Sequence, residues 1–224
     1  MFEDLLVQND FFTTYLSSPT SLLIAAFTSI ISVANPLAAM PVFISLTERS
    51  SDLERVVIAK KSSFYMFSIL LIFLLLGTYI MSFFGISLSG IRIAGGLIIL
   101  RAAYAMLNPD HSERKISEEA QEAAKDKEDI SFSPMAMPML SGPGSIAVVI
   151  GLASQAEGFI DLIIMSGAIV LVALISYGVL RVAPFSAKYI GPTGMNAITR
   201  MMGFIAMAIG VQFILNGIGK FFGV

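Results

Sequence analysis

The sequence predicts an all-α membrane protein: six transmembrane helices in two inverted-topology repeats of three, with helices 1 and 4 broken near their middles. Three observations carry this. Of 224 residues, 56% are hydrophobic and only 13% charged, about half the charged share of a soluble domain. The charges are clustered, leaving five uncharged runs at 11–47, 62–91, 130–156, 162–180 and 201–219, and a helix needs about 20 apolar residues to cross the hydrocarbon core. Proline and glycine signals in the first run recur in the third.

Taken in order, the chain opens on residues 1–20, too polar to span. Phe2, Leu5, Leu6, Phe11, Phe12, Tyr15 and Leu16 suggest a periplasmic, interfacial segment. Residues 1–17 hold Glu3, Asp4 and Asp10 but no Lys or Arg. A signal peptide needs a basic n-region, so this start is read as part of the mature protein. The first repeat occupies 21–107, with spans at 21–46, 62–85 and 86–107, the last two joined by a tight hairpin at 83–89. Asn108-Pro109 ends the third span, because proline disfavours helix in the residue before it. A cytoplasmic charged loop fills 108–130, with a short surface helix at 117–127. It reads as a solvated connector, or as a regulatory or partner-binding segment. The second repeat, 131–224, carries spans at 131–154, 158–182 and 195–221.

Orientation follows from Lys and Arg, which concentrate on the cytoplasmic side. Arg49, Arg55, Lys60 and Lys61 lie in 47–61; Arg114, Lys115, Lys125 and Lys127 lie in 108–130; Lys188 lies beyond Arg181. Segments 1–20, 83–89 and 155–160 have none, and the C-terminus has only Lys220. Both termini are therefore expected outside.

Three spans on either side of the long loop invert the second half relative to the first. Matching Asn35-Pro36 to Gly142-Pro143 gives an offset of 107 residues, and matching Arg92-x-x-Gly95 to Arg200-x-x-Gly203 gives 108. Two distant landmarks thus agree to within one residue.

The candidate site lies at the breaks. Asn35-Pro36 and Pro41 interrupt the first span; Pro134, Pro138 and Gly142-Pro143-Gly144 interrupt the fourth. Proline removes an N–H and crowds the carbonyl four residues back, and backbone groups freed at that depth need protein, water or ligand partners. A single proline reads as a packed kink; paired clusters at matching places in two halves point to a substrate site. Half-helices starting after Asn35-Pro36 and after Gly142-Pro143-Gly144 direct free N–H groups at the break, suiting a carboxylate. Carbonyls ending the preceding half-helices suit an ammonium, so a small zwitterion fits both. Asn35, Ser32, Ser141 and Ser145 can add hydrogen bonds. Ala34, Ala38, Ala39, Met40, Met137 and Met139 would make a small apolar pocket with little room for a large side chain.

Arg92 and Arg200 occupy matching places in the third and sixth spans. They read equally as steering or gating groups and as cations that bind freed carbonyls or hold the halves together. Arg101, nearer a helix end, reads as a snorkelling anchor. Gln212, Asn216 and Tyr104 line a path or make interhelical hydrogen bonds. Gly90, Gly95, Gly96, Gly203 and Gly210 read as packing positions.

The absences narrow the function. There is no Cys and a single His, His111 in the charged loop, so no thiolate metal site, disulfide or bis-histidine ligation is expected, and no cofactor. The net charge of −2 gives no reason to expect nucleic acid. No nucleophile–base pair or paired carboxylates lie within the spans, so an enzyme is not expected. With no Asp or Glu in the apolar part of any span, coupling would run through substrate charge, backbone sites or an ion.

Three strings add a resemblance: Asn35-Pro36-x4-Pro41-x-Phe43, Arg92-Ile93-Ala94-Gly95-Gly96, and Pro134-Met135-Ala136-Met137-Pro138-x3-Gly142-Pro143-Gly144-Ser145-Ile146. Through them, nearly the whole chain resembles the MarC family of bacterial and archaeal inner-membrane proteins, the neutral amino acid transporter group within the LysE superfamily. The resemblance implies a multi-pass inner-membrane protein of six spans in two inverted halves. For some members it implies transport of small neutral amino acids such as glycine and alanine. The leading expectation is a secondary transporter working by alternating access, its two halves rocking around a site at Asn35 and Gly142–Ser145. The alternatives are an exporter of another small metabolite or drug, and a non-transporting membrane scaffold or stress-response protein.

Overall fold

The computed structural model describes residues 18–48, 50–107 and 129–223. The expectations for 1–17 and for the surface helix at 117–127 lie outside them. The described residues are helical throughout, without strands.

Helix α1 (Pro19–Ala34) starts at Ser18, whose hydroxyl accepts from the Ser21 amide at 3.3 Å, with Pro19 in the first turn. It stops at Asn35, and α2 (Pro36–Leu46) begins at once. Helix α3 (Asp52–Phe84) opens with a capping box. The Glu54 amide donates to Ser51 Oγ at 3.3 Å, and the Ser51 amide donates to Glu54 Oε2 at 2.7 Å. The stretch 47–61 is thus mostly helix rather than loop, because the capping box at Ser51 starts α3 ahead of most of its charges. Helix α3 closes on Gly85, left-handed at φ 65°, and α4 (Leu88–Leu107) follows directly, completing the tight hairpin. Ser51→Ala is expected to cost about 1 kcal/mol. A lowered melting temperature with unchanged substrate exchange would check this.

The fourth crossing departs most from a regular helix. Residues Ser131–Leu140 are π-wound, with amides reaching back five residues: Met135 N donates to Ile130 O at 3.3 Å and Ser141 N to Ala136 O at 2.8 Å. Ser133 and Met137 leave helical geometry altogether, each just ahead of a proline that disfavours the α region. Helix α5 (Pro143–Ala153) resumes after Gly142. The chain then runs helically from Phe159 to Phe222, interrupted only at Gly191 (φ 69°, ψ 172°). That glycine divides it into α6 (Phe159–Ser186) and α7 (Asn196–Phe222). The expected loop 183–194 is therefore largely helix with one bend.

Among the described residues, five helices are long and apolar enough to cross a membrane: Pro19–Leu46 taken together, α3, α4, α6 and α7. The sixth expected crossing, 131–154, is not a single helix, yet it climbs beside α3. Lys61 Nζ donates to Asp129 Oδ2 at 2.9 Å, Tyr65 meets the Phe132 ring edge-on at 5.4 Å, and Gly77 packs against Ile150. Residues 61 to 77 of α3 rise about 24 Å.

Helices α2 and α5 each have 11 residues and open on proline. Their ends are 107 residues apart at both termini, as are the starts of α3 and α6. The halves are not separate bodies, however. Nearly every extensive helix–helix contact joins an element before the charged loop to one after it: α4 to α7, α3 to the 131–153 segment, α1 and α2 to the Phe159–Phe222 helix. The closest packing among the described residues therefore lies between the halves rather than within each.

Two clusters form the interior. The larger, around Phe43, Ile30, Met66, Leu70 and Ile169, unites α1, α2, α3, α5 and α6. The smaller, Ile99, Ala103 and Ala206, lies between α4 and α7, and Val33 and Phe213 pack against both. Helices α4 and α7 run antiparallel at close range. A Cβ on Gly96 would stand 2.7 Å from the Gly210 carbonyl oxygen, one on Gly203 2.9 Å from Met106 Cβ, and one on Gly217 3.0 Å from the Ser89 carbonyl oxygen. Gly203, Gly210 and Gly217 recur every seven residues along this seam. Gly95 also packs closely, against Ala147, whereas Gly90 meets only the Ser87 hydroxyl that caps α4.

Candidate functional site

Asn35 serves both half-helices it separates. Its backbone is left-handed (φ 37°, ψ 68°), the only positive φ at a non-glycine among the described residues. Asn tolerates that region better than other side chains with a Cβ. Its N–H closes α1 on the Ile31 carbonyl at 2.9 Å, and its Oδ1 accepts from the Ala38 amide at 3.2 Å to start α2. Its side-chain NH2 remains as a donor. The break also frees acceptors. Pro36 has no N–H for the Ser32 carbonyl, and the Ala38 amide, the helical partner of Ala34, turns to the Asn35 carbonyl at 3.0 Å instead.

The second break is built differently. Gly142 caps α5 without any side-chain hydrogen bond, and Pro143 supplies no donor. The amides of Gly144 and Ser145 thus begin α5 with no side chain capping them, at the positive end of the helix. Gly144 is fixed by crowding: a Cβ there would meet Ile99 Cγ1 at 2.8 Å and Val33 Cγ1 at 3.1 Å. This contact brings the two breaks and α4 to one level.

They meet at a cavity of about 610 Å³. Its walls come from α1, α2, α4, α5, α7 and Met139. It extends from the breaks along Pro41 and Val42 of α2, Ala105 and Met106 of α4 and Thr199 of α7. That is the side carrying the basic segments. Of the sequence-derived candidates, Asn35, Gly142, Pro143, Gly144 and Ser145 line it. Ser32 does not; its hydroxyl donates to the Thr28 carbonyl at 2.6 Å. Nor does Ser141, fully buried with its hydroxyl on the Ala136 carbonyl at 2.8 Å, nor Pro36, which is buried behind the break. Ser145 is on the wall, but its hydroxyl is spent on the Leu140 carbonyl at 3.2 Å.

Arg92 and Arg200 each lie about a turn into their helices, at opposite ends of the antiparallel α4–α7 pair and away from the cavity wall. Gln212 donates to Asn216 at 2.8 Å on an exposed face. The structure therefore does not bring these three to the breaks.

The pocket itself needs correcting in size. Ala34, Ala38, Ala39 and Met139 line it as read from the sequence, but Met40 is in the core and Met137 is off the wall. Its volume lies within the range of drug-sized ligand sites, rather than leaving little room. The reason is that α2 and α4 do not pack closely on each other, and small side chains on both leave the space between them open. The α4 wall is not legible in the sequence. Ile98, Arg101, Ala102 and Ala105 form one helical face, with Arg101 lining the cavity rather than only anchoring the helix end.

Comparisons with known proteins agree on one family. The model of the MarC family integral membrane protein matches residues 20–222. A UPF0056 membrane protein of Methanocaldococcus jannaschii is 43% identical over 195 residues, covering 87% of this chain and 95% of the relative. A UPF0056 membrane protein of Buchnera aphidicola is 36% identical, covering 90% and 94%. The UPF0056 inner membrane protein MarC of Escherichia coli is 39% identical, covering 83% and 89%. No solved structure gives a significant match.

Proposed function

The chain belongs to the MarC family of integral membrane proteins, and on that premise we propose that it is an inner-membrane secondary transporter moving a small neutral amino acid by alternating access. The observation that carries this reading is the meeting of two broken helices at one cavity, the first break lying near the middle of the Pro19–Leu46 span. Donors from Asn35 and the start of α5 suit a carboxylate, and the freed carbonyl of Ala34, on the cavity wall, suits an ammonium.

Further support comes from the matched lengths and spacing of α2 and α5. With the 131–153 segment counted as a crossing, the chain has six, in two inverted halves with both termini outside. The cavity then faces the cytoplasm, and the outer side is closed by the Gly95–Ala147 and Gly96–Gly210 contacts. The separate small cluster between α4 and α7 supports this pair as the unit that shifts against the larger core. No covalent chemistry is assigned to the site, so the protein is read as a carrier rather than an enzyme. The cavity's size favours one second reading, a carrier of a larger metabolite bearing the same carboxylate.

The test is counterflow of labelled glycine and alanine in proteoliposomes. Saturable exchange is expected, lowered at least about tenfold by Asn35→Ala, which gives up the left-handed preference, a cap and a ligand donor together. Absence of exchange by folded protein would remove the amino acid reading. The chain has no Cys, so Ala105→Cys provides a single reporter. It is expected to react with a membrane-impermeant thiol reagent from the cytoplasmic side only, more slowly when substrate is present. Labelling from the outer side at rest would reverse the assigned facing.

A further inference from the structure

The face that α4 turns to the cavity, Ile98, Arg101, Ala102 and Ala105, carries one charge. Among the described residues that line the cavity, Arg101 is the only charged side chain, and no carboxylate opposes it. Among the described residues it has no ion pair or hydrogen bond. Two residues earlier on the same helix, Ile99 packs over Gly144. Two residues of helix are about 3 Å of rise, and although Arg101 leaves α4 on a different side from Ile99, Arg101, Gly144 and Ser145 all line the same cavity. A cation inside a span is costly unless it faces protein or water and has a partner to meet. Here Arg101 lines a cavity, where a bound ligand can meet it.

We propose that Arg101 is the carboxylate-selecting residue of this cavity: its guanidinium and the uncapped amides of α5 share one ligand carboxylate between them. This rests on the transport reading above and narrows its substrate class to monocarboxylates, with or without an amine. A guanidinium offers two parallel N–H donors to a carboxylate, which a lysine ammonium does not. The neutral donors of the break alone would accept an amide or an alcohol nearly as well. With Arg101 present, the wall carries a positive helix end and a positive side chain, so organic cations are repelled.

The experiment uses the full chain, purified and reconstituted, with alanine, propionate (carboxylate only) and ethylamine (amine only) as competitors of labelled alanine counterflow. Alanine and propionate are expected to compete and ethylamine not. Arg101→Gln is expected to weaken both carboxylates at least about tenfold, Arg101→Lys to restore part of the loss, and Arg181→Gln, outside the cavity, to change nothing. A helix anchor would alter protein yield or melting temperature without altering this selectivity. Arg101→Gln protein that still binds alanine and propionate within about twofold of the unsubstituted chain, or competition by ethylamine equal to that by propionate, overturns the proposal. If the protein exchanges no alanine at all, the transport reading fails by itself. The Arg101 assignment is then decided by melting temperature. A rise with propionate that Arg101→Gln loses supports it, and no rise with either carboxylate overturns it.

Discussion

Gly144→Leu is expected to abolish alanine counterflow, lowering it at least about a hundredfold, or 2.7 kcal/mol, while leaving the protein folded. Any side chain there makes its neighbours shift: even a Cβ would crowd Ile99 Cγ1 at 2.8 Å and Val33 Cγ1 at 3.1 Å. These neighbours are side chains at the edge of an open cavity, so the collision can be relieved by tilting them into it. Relief of that kind fills the site, shields the Gly144 and Ser145 amides, and blocks the approach of α4 to α5. Gly144→Ala is the graded control, expected to retain partial exchange because only Ile99 and Val33 need to yield. Normal exchange by a Gly144→Leu protein with an unchanged melting temperature would remove the substrate site from the start of α5.

Gly96→Leu is expected to act on folding instead. Its Cβ would lie 2.7 Å from the Gly210 carbonyl oxygen and 3.2 Å from the Ile214 amide nitrogen, and these backbone atoms belong to a helix that cannot give locally. Between membrane helices there is no hydrophobic drive for association, so close backbone packing carries much of the stability. Separating α4 from α7 by one side-chain layer should cost about 3 kcal/mol or more. The readout is loss of the monodisperse peak on extraction and a large fall in melting temperature. Gly178→Leu is the matched control, because a Cβ there meets nothing within 4 Å. Equal behaviour of the two variants would show that the α4–α7 seam is not what holds this part of the molecule together.

These two glycines also divide what was legible in the chain from what was not. Gly144 announces itself, since Gly-Pro-Gly inside an uncharged run is a break and a break at that depth needs a ligand or a protein partner. Gly96 reads only as a small residue in an apolar helix, and its partner is 114 positions away at Gly210. Arg101 was legible as a cation near a helix end. Its role as a cavity wall depends on α2 standing apart from α4, a distance no local pattern encodes. The same holds for Ser32 and Ser141, which have suitable chemistry at suitable positions but spend their hydroxyls on the Thr28 and Ala136 carbonyls.

By itself the sequence determined the class of solvent, the order of the apolar segments, the two breaks and the 107-residue echo between them. Each of these follows from local composition or from the missing N–H of proline, and needs no neighbour to be true. Only the tertiary structure decided how the halves combine. Interlocking them pairs each helix with one from the other half and holds the α4–α7 seam at backbone contact. It leaves a 610 Å³ cavity where a narrow pocket was expected. The physical reason is that side chains in lipid have no hydrophobic preference for one helix over another, so partner choice rests on shape, and shape is a property of two surfaces at once.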